Sequence, residues 1–591
     1  MTINQTPGIQ TGFFCMRDGS IGATWTRGME DPSFDDRGTG YNYFDGNAWG
    51  DWQEWRIENL KTHRPTYSPY GENGEMVVSH ISFTGLYLAT REDKGSGAWD
   101  FETFPGPAGN SYILWNRAVS SGPDRNRIHM LALTLPSSHG GIPYQNLDAA
   151  LLYSYSTDGG VSWYWENEIL QGMTADDYNG FKGDSYNFAE PKDDIVAFVV
   201  GSNWYDLFLM KSTDGGETFE KTVIWEHPYP LWQFGTATDT FYCADGSNHL
   251  AIDNSGNVHV AFGITRVMAD NDATFLFPFV DGIAYWNESM PTFSNNLNAL
   301  SPYGETGSEL SEDYNLIGWS QDLNNNGTID IVDMGDYWIS LSSMPQLVID
   351  DDNKLFLIYS SATESYDNGS KNYRHIWGRY SLNGQSWGPF VDLTNDLIQL
   401  FDECVYPSCS PTSDENIYLV YQSDIEPGTI VWGAQHSYLD NKAVFMKVPK
   451  SDFWTTGVDS GNELVNDISV SQNYPNPCTG KTEIRVSLNN AYEINIEITT
   501  LTGKIVYQNT MQANPGENRV KLETSKVFSR SLLLYGKFRR FKRHEKDDCG
   551  IITFNSFVYF DLLGFFQPNR SYSFCTHLNF SYFYRYKTSC P

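Results

Sequence analysis

The sequence predicts an all-β protein assembled from repeated pairs of hairpins, and three observations predict it. Aromatic residues make up 15% of the 591 residues, glycines number 51, and no stretch sustains a helical period, a composition that suits many short strands joined by turns. The octad Ser156-Thr157-Asp158-Gly159-Gly160-Val161-Ser162-Trp163 returns as Ser212-Thr213-Asp214-Gly215-Gly216-Glu217-Thr218-Phe219, each copy between two strand-like runs. There Asp and Ser can hydrogen-bond the turn backbone, the Gly pair can supply positive φ, and the closing aromatic can plug the sheet below. Thirdly, an apolar strand, an Asp/Asn/Gly turn and a second apolar strand recur along the chain, so that 251–262 aligns with 348–359.

Taken in order, the pattern starts at Phe13-Phe14-Cys15-Met16, turns at Asp18-Gly19-Ser20 and continues as Ile21-Gly22-Ala23-Thr24-Trp25, a hairpin. Weaker inner hairpins are read at 65–80, 126–135, 195–203 and 410–421, and Pro65 to Pro69 and Pro407 to Pro411 share Pro-x-x-Ser-Pro. Each inner hairpin is followed by an outer one, at 41–52, 87–99, 153–163, 207–219, 283–286, 375–387 and 430–438. Seven units, mostly roughly 55 to 65 residues apart, suit four-stranded blades stacked radially so that each covers its neighbour's apolar face. A β-propeller over residues 1–450 is expected, with inner hairpins lining the channel; seven blades are expected and six are the alternative.

The octads resemble the Asp-box of sialidases and their β-propeller relatives, Ser-x-Asp-x-Gly-x-x-Trp, and Ser381 to Trp387 reads as a degenerate copy. The resemblance implies a structural turn on the propeller rim, away from the central pocket. A sialidase-like hydrolase would need three Arg for the substrate carboxylate, a Tyr with a Glu base, and an Asp acid; none is identifiable here. The nearest match to the family's Arg-Ile-Pro signature is His63-Arg64-Pro65, read as a strand start, and Asp36 beside Arg37-Gly38-Thr39-Gly40-Tyr41 is read as a loop residue. His80, His259 and His375 fall in strand runs and are expected as core or channel residues.

A long gap between the fifth and sixth units, near 295–345, holds Asp322-Leu323-Asn324-Asn325-Asn326-Gly327-Thr328-Ile329-Asp330-Ile331-Val332-Asp333. Oxygen side chains at loop positions 1, 3, 5, 9 and 12, Gly at 6 and Ile at 8 resemble the calcium loop of EF-hands and dockerins, with Asp in place of Glu at 12. A structural calcium ion is expected at Asp322, Asn324, Asn326, Asp330 and Asp333, with the Thr328 carbonyl completing the shell. A metal-free Asn/Gly turn is the alternative.

After a polar linker, 451–468, the pattern changes. Asn473-Tyr474-Pro475-Asn476-Pro477, the alternating runs Thr482 to Leu488 and Ile494 to Ile498, and Gly503-Lys504-Ile505-Val506 resemble the C-terminal sorting domain of the type IX secretion system, placed at 469–526. That family implies a small β-sandwich, the secretion machinery as partner, and a secreted or outer-surface location. From Val527 onward ten Lys or Arg face four acids and the stretch turns Phe/Tyr/Ser-rich, so 527–591 is read as out-of-frame translation beginning near Ser525 to Arg530, with a divergent tail as the alternative. Residues 1–11 lack a basic segment followed by an apolar run. Either the start is missing or the protein stays inside, and the C-terminal motifs favour the first.

The net charge of -34 argues against nucleic acid and anionic membrane surfaces as partners. No apolar window of about 18 residues occurs, so no transmembrane segment is expected. Eight cysteines show no zinc spacing; Cys404 and Cys409 could pair, or both be free. Three functions compete: a displayed propeller that binds glycan or protein, a glycoside hydrolase with an unrecognised carboxylate pair, and a structural surface protein without a ligand. Abundant Trp and Tyr favour carbohydrate contact.

Overall fold

The computed structural model describes residues 12–454, apart from positions 17, 31–33, 52, 54, 397, 430–434, 438 and 440, and then 468–470, 481–488, 491–500, 505–523, 531–539, 551–554 and 560–561. The chain forms two compact units, Met1–Thr456 and Gly457–Pro591.

In the first unit seven antiparallel sheets follow one another in sequence, and the first strands of successive sheets touch in a closed ring. This is a seven-bladed propeller. Five blades have four or more strands: Thr62–Tyr70 to Asp100–Phe104, Ile113–Ser121 to Trp165–Glu168, Tyr186–Phe188 to Glu220–Trp225, Phe241–Ile252 to Leu316–Gly318, and Ser342–Ile349 to Val391–Asp392. Among the described residues the first blade (Phe13–Cys15, Ile21–Arg27, Gly38–Phe44) and the last (Glu403–Cys409, Asn416–Asp424, Lys442–Pro449) have three each.

Apolar residues on both faces of each sheet bury themselves against the adjacent blades, so the core lies between blades rather than within them. Val196, Phe198 and Val200 pack toward the third blade while Ala197 and Val199 pack toward the fifth, as strand alternation requires. The ring closes without a shared sheet. Phe13 and Cys15 pack on Tyr418 and Phe445, the Cys15 N–H donates to Ser410 Oγ at 3.0 Å, and Thr412 Oγ1 donates to the Cys15 carbonyl.

Three readings of the strands are corrected. Residues 126–135 and 195–203 each hold one strand of an inner hairpin, whose first strands are Ile113–Ser121 and Tyr186–Phe188. The outer strand of the last blade is Lys442–Pro449, whereas the expected hairpin at 430–438 falls largely outside the described residues. The gap at 295–345 is no single insertion: Leu316–Gly318 within it is the outermost strand of the fifth blade. Cys404 and Cys409 are free and buried; on one strand, they face Ser423 and Leu419, four residues apart on the neighbouring strand, so their Cα atoms are separated by roughly 13 Å, beyond disulfide reach.

Among the described residues the second unit contains two antiparallel sheets. One orders Ile468–Val470, Lys481–Leu488 and Gly516–Glu523; the other orders Ile505–Ala513, Tyr492–Thr500, Ser531–Arg539 and Ile551–Phe554, with Phe560–Asp561 beside Ser531–Arg539. Ser531–Arg539 falls in the stretch read as an out-of-frame tail and pairs along Tyr492–Thr500. The motif at 473–477, Gly503-Lys504 and most of the linker lie outside the described residues.

Candidate functional site

A four-stranded meander places its first and third turns at one end of the blade and its second turn, with the link to the next blade, at the other. The two octad turns are third turns. In one, Gly160 N–H donates to Ser156 Oγ at 2.9 Å and Ser162 N–H to Asp158 Oδ1 at 2.8 Å; in the other, Gly216 and Thr218 N–H groups repeat this on Ser212 and Asp214 at 2.9 Å each. They therefore lie on one face, and the long inter-blade links lie on the opposite, loop face.

Toward that loop face the innermost strand of six blades bends at a residue with positive φ: Arg64 (54°), Trp115 (53°), Asp184 (64°), Gly246 (98°), Met344 (58°) and Tyr406 (54°). The ladder register shifts at five of them, and Asp184 stands just before its strand. Five are not glycine, and each left-handed residue costs about 1–3 kcal/mol, so the surrounding structure must hold them there. Pro65, Pro345 and Pro407 follow three of them and withhold the N–H that would continue the ladder. The recurrent X-Pro at the start of inner strands was the available sequence signal; the Pro-x-x-Ser-Pro repeat captured two of its three instances.

The bends gather charge around the channel. Asp184 pairs with Arg64, and with Arg117 at 3.3 Å. Arg117 also donates to Asn187 Oδ1 at 3.0 Å and to the Asn116 carbonyl at 2.9 Å, while Arg64 lies 5.8 Å from the Trp115 ring centroid. Burial, then the neighbouring Arg117 charge, pushes Arg64 down to about 9; burial pushes Arg117 down to about 10. Farther round, Asp245 accepts from Ser343 Oγ and from the Ser247 N–H at 2.7 Å, and burial raises it to about 6. Glu403 accepts from Tyr337 Oη at 2.8 Å and the Arg374 N–H at 2.7 Å, and burial raises it to about 7. Glu403 and Tyr337 are buried, so this Tyr–Glu contact ties the link before Ser342–Ile349 to the innermost strand of the last blade.

The candidate acid Asp36 is a turn residue that accepts the Met29 and Glu30 N–H groups at 2.8 and 3.0 Å. Arg37 contacts His63 at 3.1 Å and Tyr41 donates to Glu75 at 2.9 Å, so this trio does not converge. His80 stacks on His63, His259 contacts the Tyr285 hydroxyl at 2.6 Å, and His375 contacts Asp392 at 2.7 Å.

The loop at 322–333 lies in the link from the fifth blade to the sixth, on the loop face. Asp322 accepts the Asn326 and Gly327 N–H groups at 3.2 and 2.7 Å, and Asn324 and Asn326 side chains donate to Asp330 at 3.3 and 2.6 Å. Thr328 donates to Asn326 and Asp330 at 2.7 and 3.2 Å. Five of the six expected ligand residues thus share one network, with Gly327 at φ 89° making the turn. The carboxylate of the sixth, Asp333, stands apart from that network and accepts its neighbour Met334's N–H, at 2.9 Å. Sequence reading missed Glu364. It is buried on the strand Leu355–Asp367 and accepts from Leu323 N–H (2.5 Å), Asn324 N–H (3.1 Å), Asn324 Nδ2 (2.7 Å) and Asp330 N–H (3.1 Å). No group of three or more His, Cys, Asp or Glu side chains poised around a metal ion is found among the described residues.

The fold defines a class, a seven-bladed β-propeller protein. Residues 472–529 match the family described as the secretion system C-terminal sorting domain, which makes this a secreted or outer-surface protein. Among the described residues no helix is long and apolar enough to cross a membrane. No curated protein matches the sequence. Similar solved structures include a polysaccharide lyase family PL25 ulvan lyase bound to -[GlcA(1-4)Rha3S]-, at 11% identity over 76% of this chain and 91% of that one, with a TM-score of 0.35. A protein of unknown function from Dyadobacter fermentans is 11% identical over 64% of this chain and 96% of that one, with a TM-score of 0.30. The intramolecular trans-sialidase of Ruminococcus gnavus is 11% identical over 75% of this chain and 94% of that one, with a TM-score of 0.33.

Proposed function

We propose that the propeller is a surface-displayed glycan-binding protein that works through its loop face, after export by the type IX secretion machinery. The observation that carries this reading is the distribution of exposed apolar side chains. Most of the large ones, including Trp55, Phe83, Phe234, Phe279, Trp338 and Ile425, sit in second turns or inter-blade links, whereas the octad-turn side shows fewer, among them Val161, Tyr164 and Leu382. Exposed aromatics gathered on one side of a soluble protein mark an interaction surface, and flat aromatic faces suit the C–H faces of sugar rings. Incubating the full chain on a glycan array and with a panel of aryl glycosides tests it. Binding without hydrolysis is expected; hydrolysis would replace this reading with the glycosidase one, and no bound glycan would favour a protein ligand or none.

The 322–333 loop, in the same reading, holds a structural calcium ion. Asp322 and Asp330 offer carboxylates, Thr328 its carbonyl, and Asn324 and Asn326 amide oxygens that a side-chain flip exchanges with the nitrogens. Asp333 would join directly or through water. This donor set is all oxygen, as a hard divalent cation requires, and the ion would offset the repulsion between the carboxylates.

A further inference from the structure

The eight residues after the calcium-type loop, 334–341, run as a strap from the sixth blade to the channel. Its start is pinned to the same blade as the loop. Val332 N–H donates to Asn372 Oδ1 at 2.8 Å, Asn372 N–H donates to the Asp333 carbonyl at 2.7 Å, and Met334 bridges Asn372. Its middle meets the last blade: Gly335 lies against the Gly428 backbone so closely that an added Cβ would stand 2.3 Å from Gly428 N, and the Asp336 N–H donates to Gln435 Oε1 at 2.8 Å. Its end is held by Arg374, which donates to the Ser340 and Leu341 carbonyls at 2.6 and 2.9 Å.

Along the strap Tyr337 and Ile339 are buried against Met344, Val405 and Tyr406, two of them channel-bend residues. Trp338, between them, is 51% exposed and holds φ at 60°. A bulky residue kept left-handed and outward by buried neighbours on either side is strain stored at a presented side chain. The two attachments of loop and strap to the sixth blade, Glu364 and Asn372, are themselves linked, because Asn372 Nδ2 donates to the carbonyl of Thr363 at 3.0 Å, next to Glu364.

We infer that the loop and the strap are one cooperative unit clasped by Glu364, so that an ion in the loop orders the strap and fixes Trp338 as a sugar-contact residue on the loop face. The inference rests on the calcium reading for the ion and on the loop-face reading for Trp338. The clasp itself is carried by the protein's own residues. Glu364 receives four donors and has none of its own, so a neutral amide in its place would turn an N–H₂ toward main-chain N–H groups.

Hydrogen exchange of the full chain, read on peptides covering 334–341 and on control peptides covering Tyr205–Ser212, tests it, with calcium binding measured in parallel by calorimetry. At free calcium ten times the dissociation constant, strap exchange should slow by about tenfold while the control strand is unchanged. Glu364→Gln should speed strap exchange without calcium and remove most of the slowing with it. Calcium bound with strap exchange unaltered would overturn the coupling and leave the calcium reading standing. No calcium bound would overturn the calcium reading and the ion's part in the coupling. The clasp is then decided by Glu364→Gln alone, faster strap exchange supporting it and unchanged exchange refuting it.

Discussion

Asp184 joins three blades at the channel, and replacing it gives the sharpest test of the bend ring. Its carboxylate lies between Arg64 and Arg117, and all three side chains are at least about nine-tenths buried, with exposures of 6%, 11% and 1%. Removing one member of a buried charge pair costs about 3–5 kcal/mol because the remaining charge stays desolvated. Arg117 keeps its bonds to Asn187 and Asn116 and Arg64 keeps the Trp115 ring, so the low end applies, and Asp184→Asn is expected to cost about 3 kcal/mol. Asn tolerates the left-handed backbone that Asp184 adopts, whereas Ala does not, so Asp184→Ala should cost about 1 kcal/mol more. All 18 tryptophans lie at or before Trp454, so urea unfolding followed by tryptophan fluorescence reports the propeller without the sorting domain. A loss below about 1 kcal/mol for Asp184→Asn, in the range of exposed pairs, would show that the arginines are solvated and that the ring is not a buried network.

Three further outcomes follow from the geometry. Burial pushes Asp214 up, but hydrogen bonds from Thr218 and Ser212 outweigh it and hold the carboxyl at about 2; its contribution is present above the unfolded value near 3.8 and is lost as pH falls through 2, so Asp214→Asn should weaken the acid dependence of stability in urea titrations between those limits. Burial raises Glu403 to about 7, so between its ordinary value near 4.5 and 7 the folded state binds the extra proton and this group's contribution falls as pH rises; Glu403→Gln should therefore gain stability relative to the parent across that window, and a pH-independent difference would refute the assignment. Chelator should lower the melting temperature of the propeller, and Asp322→Ala should lower it equally and abolish the response to calcium, as differential scanning calorimetry can check; indifference to both would return the loop to an ordinary Asn/Gly turn.

The parts of the fold legible in the sequence were those fixed by local chemistry. The octad turns could be read because Ser, Asp and paired Gly close on themselves within eight residues, with the same bonds in both copies. The count of seven survived because each blade leaves at least one strong alternating run. Where it misplaced inner strands, a bend had broken the alternation: Ile113–Ser121 carries Asn116 and Arg117 in its middle, turned inward by the bend at Trp115. The channel charges were harder to read for the same reason, since the left-handed Arg64 is marked only by the Pro65 that follows it and Asp184 has neither a proline nor a glycine to mark it. The residues that share the loop's hydrogen-bond network, Asp322, Asn324, Asn326, Thr328 and Asp330, were visible through spacing alone. Glu364 was not, because it reaches the loop from another strand about 40 residues away and is recognised only once the blade is folded.

The central claim is that the loop face binds glycan, and a paired substitution measures it most directly. Binding of the full chain to its best glycan from the array would be titrated by calorimetry for the parent, for Trp338→Ala on the loop face and for Val161→Ala on the octad-turn face, both side chains being exposed. Losing a sugar-stacking aromatic forfeits about 1 kcal/mol or more, so Trp338→Ala should weaken binding at least about fivefold while Val161→Ala leaves it unchanged. Unchanged affinity for Trp338→Ala together with a loss for Val161→Ala would place the ligand on the wrong face and contradict the account.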